Sequence, residues 1–282
     1  MTRLFQRLAS RWIAGQTIDE GIDRVRKANS RGILGLLNLL GEHFNDREQI
    51  EVTIQEYSRL LQQIEESKVN SQISIKPTQL GMTLDYDFCL QNYLTIAEEC
   101  QSRSQNWLWV DMEDSRFTQK TVDLYGRLIS KYPNSGIAIQ ANLKRSEGDL
   151  KILLELGGNV RLVKGAYNEP REIAFKSKSQ ISENYSNLMK MLFLQNKRNF
   201  FAIATHDSHL VQMAKDFSLE YKSNFEFEML MGVRDKLKAE LVSQKYKVRE
   251  YIPYGPEWFA YSMRRLREKK SNIFLLFRSL FS

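Results

Sequence analysis

The chain has 282 residues, 42% apolar and 27% charged, a balance that excludes a disordered or fibrous protein. Its 41 basic and 34 acidic residues leave a net charge of +7, interspersed along the chain and unaccompanied by zinc-finger spacing or an RNA-binding signature, so no nucleic-acid partner is expected. With five scattered prolines, no Gly/Ser-rich tract and no fixed-period repeat, nothing divides the chain, and residues 1–282 read as one domain.

Residues 1–66 have a helical pattern and read as an N-terminal helical arm. Thr17-x-x-Glu20 makes a capping box ahead of one helix, Asp46 with Gln49 can cap the next, and Leu36, Leu37, Leu39 and Leu40 mark a packing face. From residue 73 to 282 the pattern becomes short apolar runs alternating with amphipathic stretches: ISIKPTQLG, WLWVDMED, GIAIQANL, VRLVKGAY, FFAIATHD, NFEFEMLMG and VREYIPYG. Strands of this kind, nearly continuous in apolar residues and separated by helices, belong to a parallel sheet covered by helices.

The strand ends are polar: Lys76, Asp111, Gln140, Arg161 with Lys164, Thr205 with His206, Glu228 and Tyr251. In a (β/α)8 barrel such ends converge on one mouth. Seven strands are visible, and the eighth is either hidden or lies in the C-terminal FLLF run. A doubly wound sheet is the alternative, weakened because no GxGxxG follows the first strand.

Two segments raise chemical questions. In VRLVKGAYNEP (Val160–Pro170), Arg161 and Lys164 interrupt a buried run and Gly165-Ala166 follows, so the cations need partners. After Gly255-Pro256, the run EWFAYSMRRLRE puts Phe259, Met263 and Leu266 on one helical face and Tyr261, Arg264, Arg265 and Glu268 around the other. Adjacent guanidiniums there could grip a carboxylate, or the face could simply be solvated.

Cys89 and Cys100 are the only cysteines and fall in a segment that reads as one helix. An offset of 11 residues there is a rise of roughly 16 Å, too far for a disulfide. With no secretory signal and no long uncharged apolar run, the pattern is that of a reduced intracellular protein whose cysteines fill the core. Of the three histidines, His206 and His209 straddle a strand-to-loop transition, and no metal site is expected.

Taken together, KPTQLG, VDMED, IQANL, RLVKGAY, ATHD, FEML and VREYIPYG…YSMRRLRE resemble the short, monofunctional bacterial proline dehydrogenases, from LLGE near residue 40 to FRSL near the C-terminus. The resemblance implies a distorted (β/α)8 TIM barrel with an N-terminal helical arm, noncovalent FAD, and oxidation of L-proline to Δ1-pyrroline-5-carboxylate by hydride transfer from proline C5 to flavin N5. It implies Asp111 and Arg161 as catalytic polar groups, and Lys76, Arg264 and Arg265 on the substrate carboxylate, with Glu268 holding the arginines. Tyr251 and Tyr261 would shape the proline pocket, and Met112, Gln140, Arg161, Lys164, Gly165, Ala166, Thr205 and His206 would contact FAD. On this view flavin and substrate are the partners of the strand-end cations, and Gly165-Ala166 leaves room for the cofactor. The sequence departs from the family at Met231, where Tyr is frequent, and at the Glu-Lys-Lys-Ser after the arginine helix.

The resemblance also implies a membrane quinone as electron acceptor and peripheral attachment to the inner face of the cytoplasmic membrane. The tail SNIFLLFRSLFS is too short to span a bilayer. Oligomeric state is left open. Two rival readings are a barrel lyase forming a Schiff base on Lys76 or Lys164, and a flavin-free membrane-surface binding protein suggested by the net charge and the tail.

Overall fold

A computed structural model describes residues 9–103, 107–195, 199–259 and 261–263. Among them are eight short strands: β1 (Leu34–Leu39), β2 (Ser71–Ile75), β3 (Leu108–Val110), β4 (Ser135–Gln140), β5 (Asn159–Val163), β6 (Phe200–Ala204), β7 (Asn224–Leu230) and β8 (Val248–Tyr254). Each pairs in parallel with the next, and β8 pairs with β1 to close the barrel. Around it run α1 (Ile18–Asn29), α2 (Arg47–Glu66), α3 (Tyr86–Ser102), α4 (Ser115–Ile129), α5 (Ser146–Glu155), α6 (Lys178–Gln195), α7 (Ser208–Glu220) and α8 (Asp235–Ser243).

Local chemistry sets these helix starts. Thr17 and Glu20 form the expected capping box on α1, and the side chains of Asp46, Asp85, Asp114 and Asp207 accept backbone N–H groups at the starts of α2, α3, α4 and α7. The main core lies between the outer strand faces and the helices and contains Leu37, Ile73, Ile75, Val110, Ile137, Leu162 and Ile203. Cys89 and Cys100 are buried thiols on α3. A second cluster fills the barrel itself, with Leu36, Trp109 and Ala202 packed together and Tyr251 against them. Gly136 makes room for that indole, since a β-carbon there would sit 2.4 Å from the Trp109 ring.

The helical arm is not separate from the barrel. LGLLNL, read as a helical packing face, is β1, which hydrogen-bonds to both β2 and β8 and is the missing eighth strand. Residues 18–66 therefore supply α1, β1 and α2 of the closed structure, and the boundary drawn between 66 and 73 falls inside the second β-strand unit. The error has a physical origin. Leucine favours helix, and β1 is buried on both faces, so it shows no alternation.

The regular β/α alternation is broken at the closure. α1 precedes β1 yet packs on the outer flank of β1 and β8, and the backbone N–H of Gly255 donates to Gly15 O at 3.0 Å. The chain after β8 turns to the barrel mouth, where Tyr261 packs with Ala9, Ile13 and Leu40 and Trp12 Nε1 donates to Ser262 Oγ at 3.2 Å. Arg264, Arg265, Glu268 and the apolar tail lie outside the described residues. No helix among the described residues is long and apolar enough to cross a membrane.

Candidate active site

The C-terminal ends of the strands enclose a cavity of about 360 Å³. Lys76 follows β2, Asp111 and Met112 follow β3, Gln140 ends β4, Arg161 lies in β5, Lys164, Gly165 and Ala166 follow it, and Thr205 and His206 follow β6. Tyr251 of β8 and Tyr261 complete the set, so all twelve predicted site residues that are described line one wall or another of the same space. Its size is that of a small-molecule site, and its position is where barrel enzymes assemble catalytic groups.

Arg161 is the centre of the polar network. It is 3% exposed; its Nη1 donates to Asp111 Oδ1 at 2.7 Å and to Ser74 Oγ at 3.2 Å, and its Nε approaches Glu228 Oε2 at 2.7 Å. The guanidinium also lies over the Trp109 ring, 4.6 Å from its centroid. Burial works against this charge, but Glu228 and Asp111 outweigh it and hold the proton more firmly than usual. Nη2 has no hydrogen-bond partner among the described residues, and Nε meets Glu228 as an ion pair without hydrogen-bond geometry.

Asp111 accepts three hydrogen bonds, from Arg161, from Ser74 Oγ at 2.7 Å and, on Oδ2, from the Tyr251 hydroxyl at 2.7 Å. Burial pushes the Tyr251 phenol well above its ordinary range and the Asp111 charge pushes it further, so it stays a neutral donor. Glu228 is pushed upward by burial, against the pull of Arg161, and its Oε1 has no partner. Behind Lys76, Glu113 is fully buried and accepts from Thr78 N at 2.8 Å and Thr78 Oγ1 at 2.7 Å. Burial raises its carboxyl to about 7 despite those two donors.

The strand-end cations do not wait on a ligand for their partners. Lys164 Nζ pairs with Asp207 at 2.8 Å and donates to Ser182 at 3.2 Å, holding Asp207 below the usual carboxylate range, while Arg161 sits between two carboxylates. Buried charge is expensive enough that the fold supplies its own counter-ions. Gly165 is likewise required by the protein: its φ is +101°, and a β-carbon would fall 2.0 Å from Asn142 Oδ1. Gln140 already donates to Glu113 O at 2.9 Å and accepts weakly from Ala166 N, and His206 Nε2 accepts from Leu230 N at 3.0 Å. Lys76 differs, since among the described residues no carboxylate stands within ion-pair distance of its ammonium.

A family model described as proline dehydrogenase matches residues 21–274, and proline dehydrogenase 2 of Bacillus subtilis (strain 168) is 34% identical over 275 residues, 96% of this chain and 90% of that protein. The chain belongs to the proline dehydrogenase family. Proline dehydrogenase of Deinococcus radiodurans is 32% identical over 274 residues, 94% of this chain and 87% of its own. The fold matches that of proline utilization A (PutA) from Bdellovibrio bacteriovorus inactivated by N-propargylglycine, with a TM-score of 0.84 at 22% identity over 92% of this chain and 32% of that one. As a proline dehydrogenase family member the chain is an oxidoreductase on a (β/α)8 barrel.

Several cavity residues escaped the sequence reading. Asn38, whose Nδ2 donates to Ser74 O at 2.8 Å, was hidden when β1 read as helix. Glu228 stood at a strand end with no role attached, although a buried acid two residues beyond Glu226 on the same strand face is itself a signal. Ala138, Val163, Ala204, Met229 and Leu230 supply apolar wall and read as ordinary strand core. Met231 is buried beside the mouth, and its N–H donates to Tyr251 O at 2.9 Å.

Proposed function

We propose that the chain, taken as one domain over residues 1–282, oxidises L-proline to Δ1-pyrroline-5-carboxylate with noncovalent FAD as the first step of proline catabolism and passes the electrons to a membrane quinone. The observation that carries this reading is Lys76, a cation with no carboxylate at ion-pair distance among the described residues, facing the same cavity as the Asp111–Arg161–Tyr251 network. A ligand with a carboxylate supplies the counter-ion that the described residues do not.

The residues present fit a flavin. Arg161 Nη2 is a buried donor without a partner, and Gln140 keeps one amide hydrogen and one lone pair for a ring edge. Met112, Val163 and Leu230 offer apolar wall for an aromatic ring, and Lys164, Gly165, Ala166, Thr205 and His206 line the far side. FAD, when bound, supplies the hydride acceptor for proline C5. The chain's part is to place and hold: Lys76, Arg264 and Arg265 anchor the proline carboxylate, Glu268 braces the two arginines, and Tyr251 and Tyr261 bound the ring. Asp111 accepts from Arg161, Ser74 and Tyr251, and so fixes the guanidinium and the phenol ring in set positions at the cavity. Attachment is proposed as peripheral, on the inner face of the cytoplasmic membrane.

An anaerobic absorption spectrum with and without L-proline tests the reading. A flavin band near about 450 nm that bleaches on proline addition is expected. Flavin that is bound but not bleached points to another substrate, and no flavin uptake on reconstitution overturns the proposal. Reoxidation of the bleached protein by a soluble quinone analogue tests the acceptor. Of the rival lysines, Lys164 is engaged by Asp207 and Ser182, which leaves Lys76 as the residue to probe by borohydride trapping.

A further inference from the structure

We propose that Glu228 is a positioning residue for Arg161 and that its carboxylate charge lowers the reduction potential of a flavin held in the cavity. The inference rests on the flavin reading above.

The guanidinium of Arg161 has three nitrogens and is gripped through two. Asp111 and Ser74 hold Nη1, Glu228 holds Nε, and the Trp109 ring backs one face. The Nε contact is an ion pair without hydrogen-bond geometry, and Nη2 makes no hydrogen bond among the described residues. Removing the Nε contact would free the guanidinium to turn about Nη1, so Glu228 decides which nitrogen meets the ligand.

The neighbouring acid on the same strand face shows that this is not a general device for filling the barrel. Glu226 is satisfied on both oxygens by Arg249, whose Nη1 also donates to Gly35 O at 2.7 Å, and neither residue reaches the cavity. Glu228 does line the cavity, is 2% exposed, and keeps one oxygen, Oε1, unpartnered. A buried polar atom left unmatched beside a ligand space is costly unless the site uses it.

The charge has a sign consequence. Hydride transfer brings two electrons and one proton to the flavin, which leaves one added negative charge on the ring. A second carboxylate beside Arg161 opposes that charge and favours the oxidised form. Groups facing Glu228 are Arg161 on β5, Asp111 after β3, Glu226 on β7, Arg249 on β8 and Tyr185 on α6. Because burial raises the Glu228 pKa, the effect is read at alkaline pH, where the carboxylate is ionised.

Reductive titration of the flavin-loaded protein at alkaline pH tests the charge. Glu228→Gln keeps an oxygen that can face Arg161 Nε and removes the charge; its two-electron reduction equilibrium is expected to shift at least about tenfold, or about 30 mV to more positive potential. Glu228→Ala removes the contact. Its anaerobic flavin reduction by proline should slow by at least about tenfold, with proline affinity within about threefold and with Glu228→Gln close to wild type in rate. A Glu228→Gln potential within about 10 mV of wild type, or a Glu228→Ala reduction rate like wild type, overturns the inference while the flavin reading stands. If Glu228→Ala fails to fold, the Glu228→Gln potential decides alone. A wild-type chain that takes up no flavin removes the proposed function and this inference with it.

Discussion

Arg161→Met should cost stability in a way that depends on pH. The substitution keeps most of the side-chain volume and removes the charge, leaving Asp111 with two donors, Ser74 and Tyr251. Glu228 is left with none, because Oε1 has no partner and Oε2 faces only Arg161. Breaking a buried pair by deleting one partner costs about 3–5 kcal/mol when the remaining charge cannot adapt. Glu228 can adapt by holding a proton, since burial already raises its pKa and Arg161 is the leading group that lowers it. Below the pH at which wild-type Glu228 ionises, both proteins carry the protonated acid and the difference between them is smallest. Above it, wild type ionises against Arg161 while the variant must retain the proton, at about 1.4 kcal/mol for each further pH unit. Urea denaturation followed by circular dichroism at pH 6 and pH 9 reads this directly, and single-turnover flavin reduction should slow more than proline affinity changes. A stability loss equal at the two pH values would refute the dependence of Glu228 on Arg161.

Glu113→Gln should flatten the pH dependence of stability: a folded pKa raised from 4.5 to about 7 means that wild type loses about 3 kcal/mol as pH rises from 4.5 to 7, and the amide does not ionise. Parallel denaturation midpoints for the two proteins at pH 5 and pH 8 would contradict it. Gly165→Ala should destabilise by at least about 1–2 kcal/mol from the left-handed backbone alone, with more from the clash against Asn142. Asn142→Ala should recover the clash component, and a double-mutant cycle with no coupling would remove Asn142 as the reason for the glycine.

Most of the barrel and the mouth could be read from seven strand runs because each ends in a polar residue after a buried apolar stretch. The first strand could not. LGLLNL is buried on both faces and rich in a helix-favouring residue, and only its pairing with β2 and β8 makes it a strand. The positions of Lys164 and Gly165 were legible, but the reason for them was not. Asp207 and Asn142 come from other β/α units, and no local pattern says that they return to the same turn. Glu228 shows the same limit, since the spacing of Glu226 and Glu228 marks two acids on one strand face but does not say that Arg161, 67 positions away in sequence, stands beside the second. The paired-arginine helix beyond Met263 lies outside the described residues.

The two charge layers inside the barrel lead to one more test. Arg249 uses Nε, Nη1 and Nη2 on Glu226 and Gly35, and Glu226 has both oxygens matched, so this lower layer is complete without any ligand. The upper layer of Arg161 and Glu228 is incomplete, with Nη2 and Oε1 unmatched at the cavity wall. Arg249→Met breaks the buried pair with Glu226 and Arg161→Met breaks those with Asp111 and Glu228, and each should lose at least about 3–5 kcal/mol of stability at high pH. They should part on ligand response. Saturating FAD raises the melting temperature through RT ln(1 + [L]/Kd), so a tenfold weaker Kd lowers the increment by about 1.4 kcal/mol. Arg249→Met should keep the wild-type FAD increment, because Arg249 donates only to Glu226 and Gly35, neither of which lines the cavity, and Arg161→Met should lose part of it. Equal loss in both variants would mean that the increment reports only the general stability of the barrel, and Arg161 would then be a structural ion like Arg249.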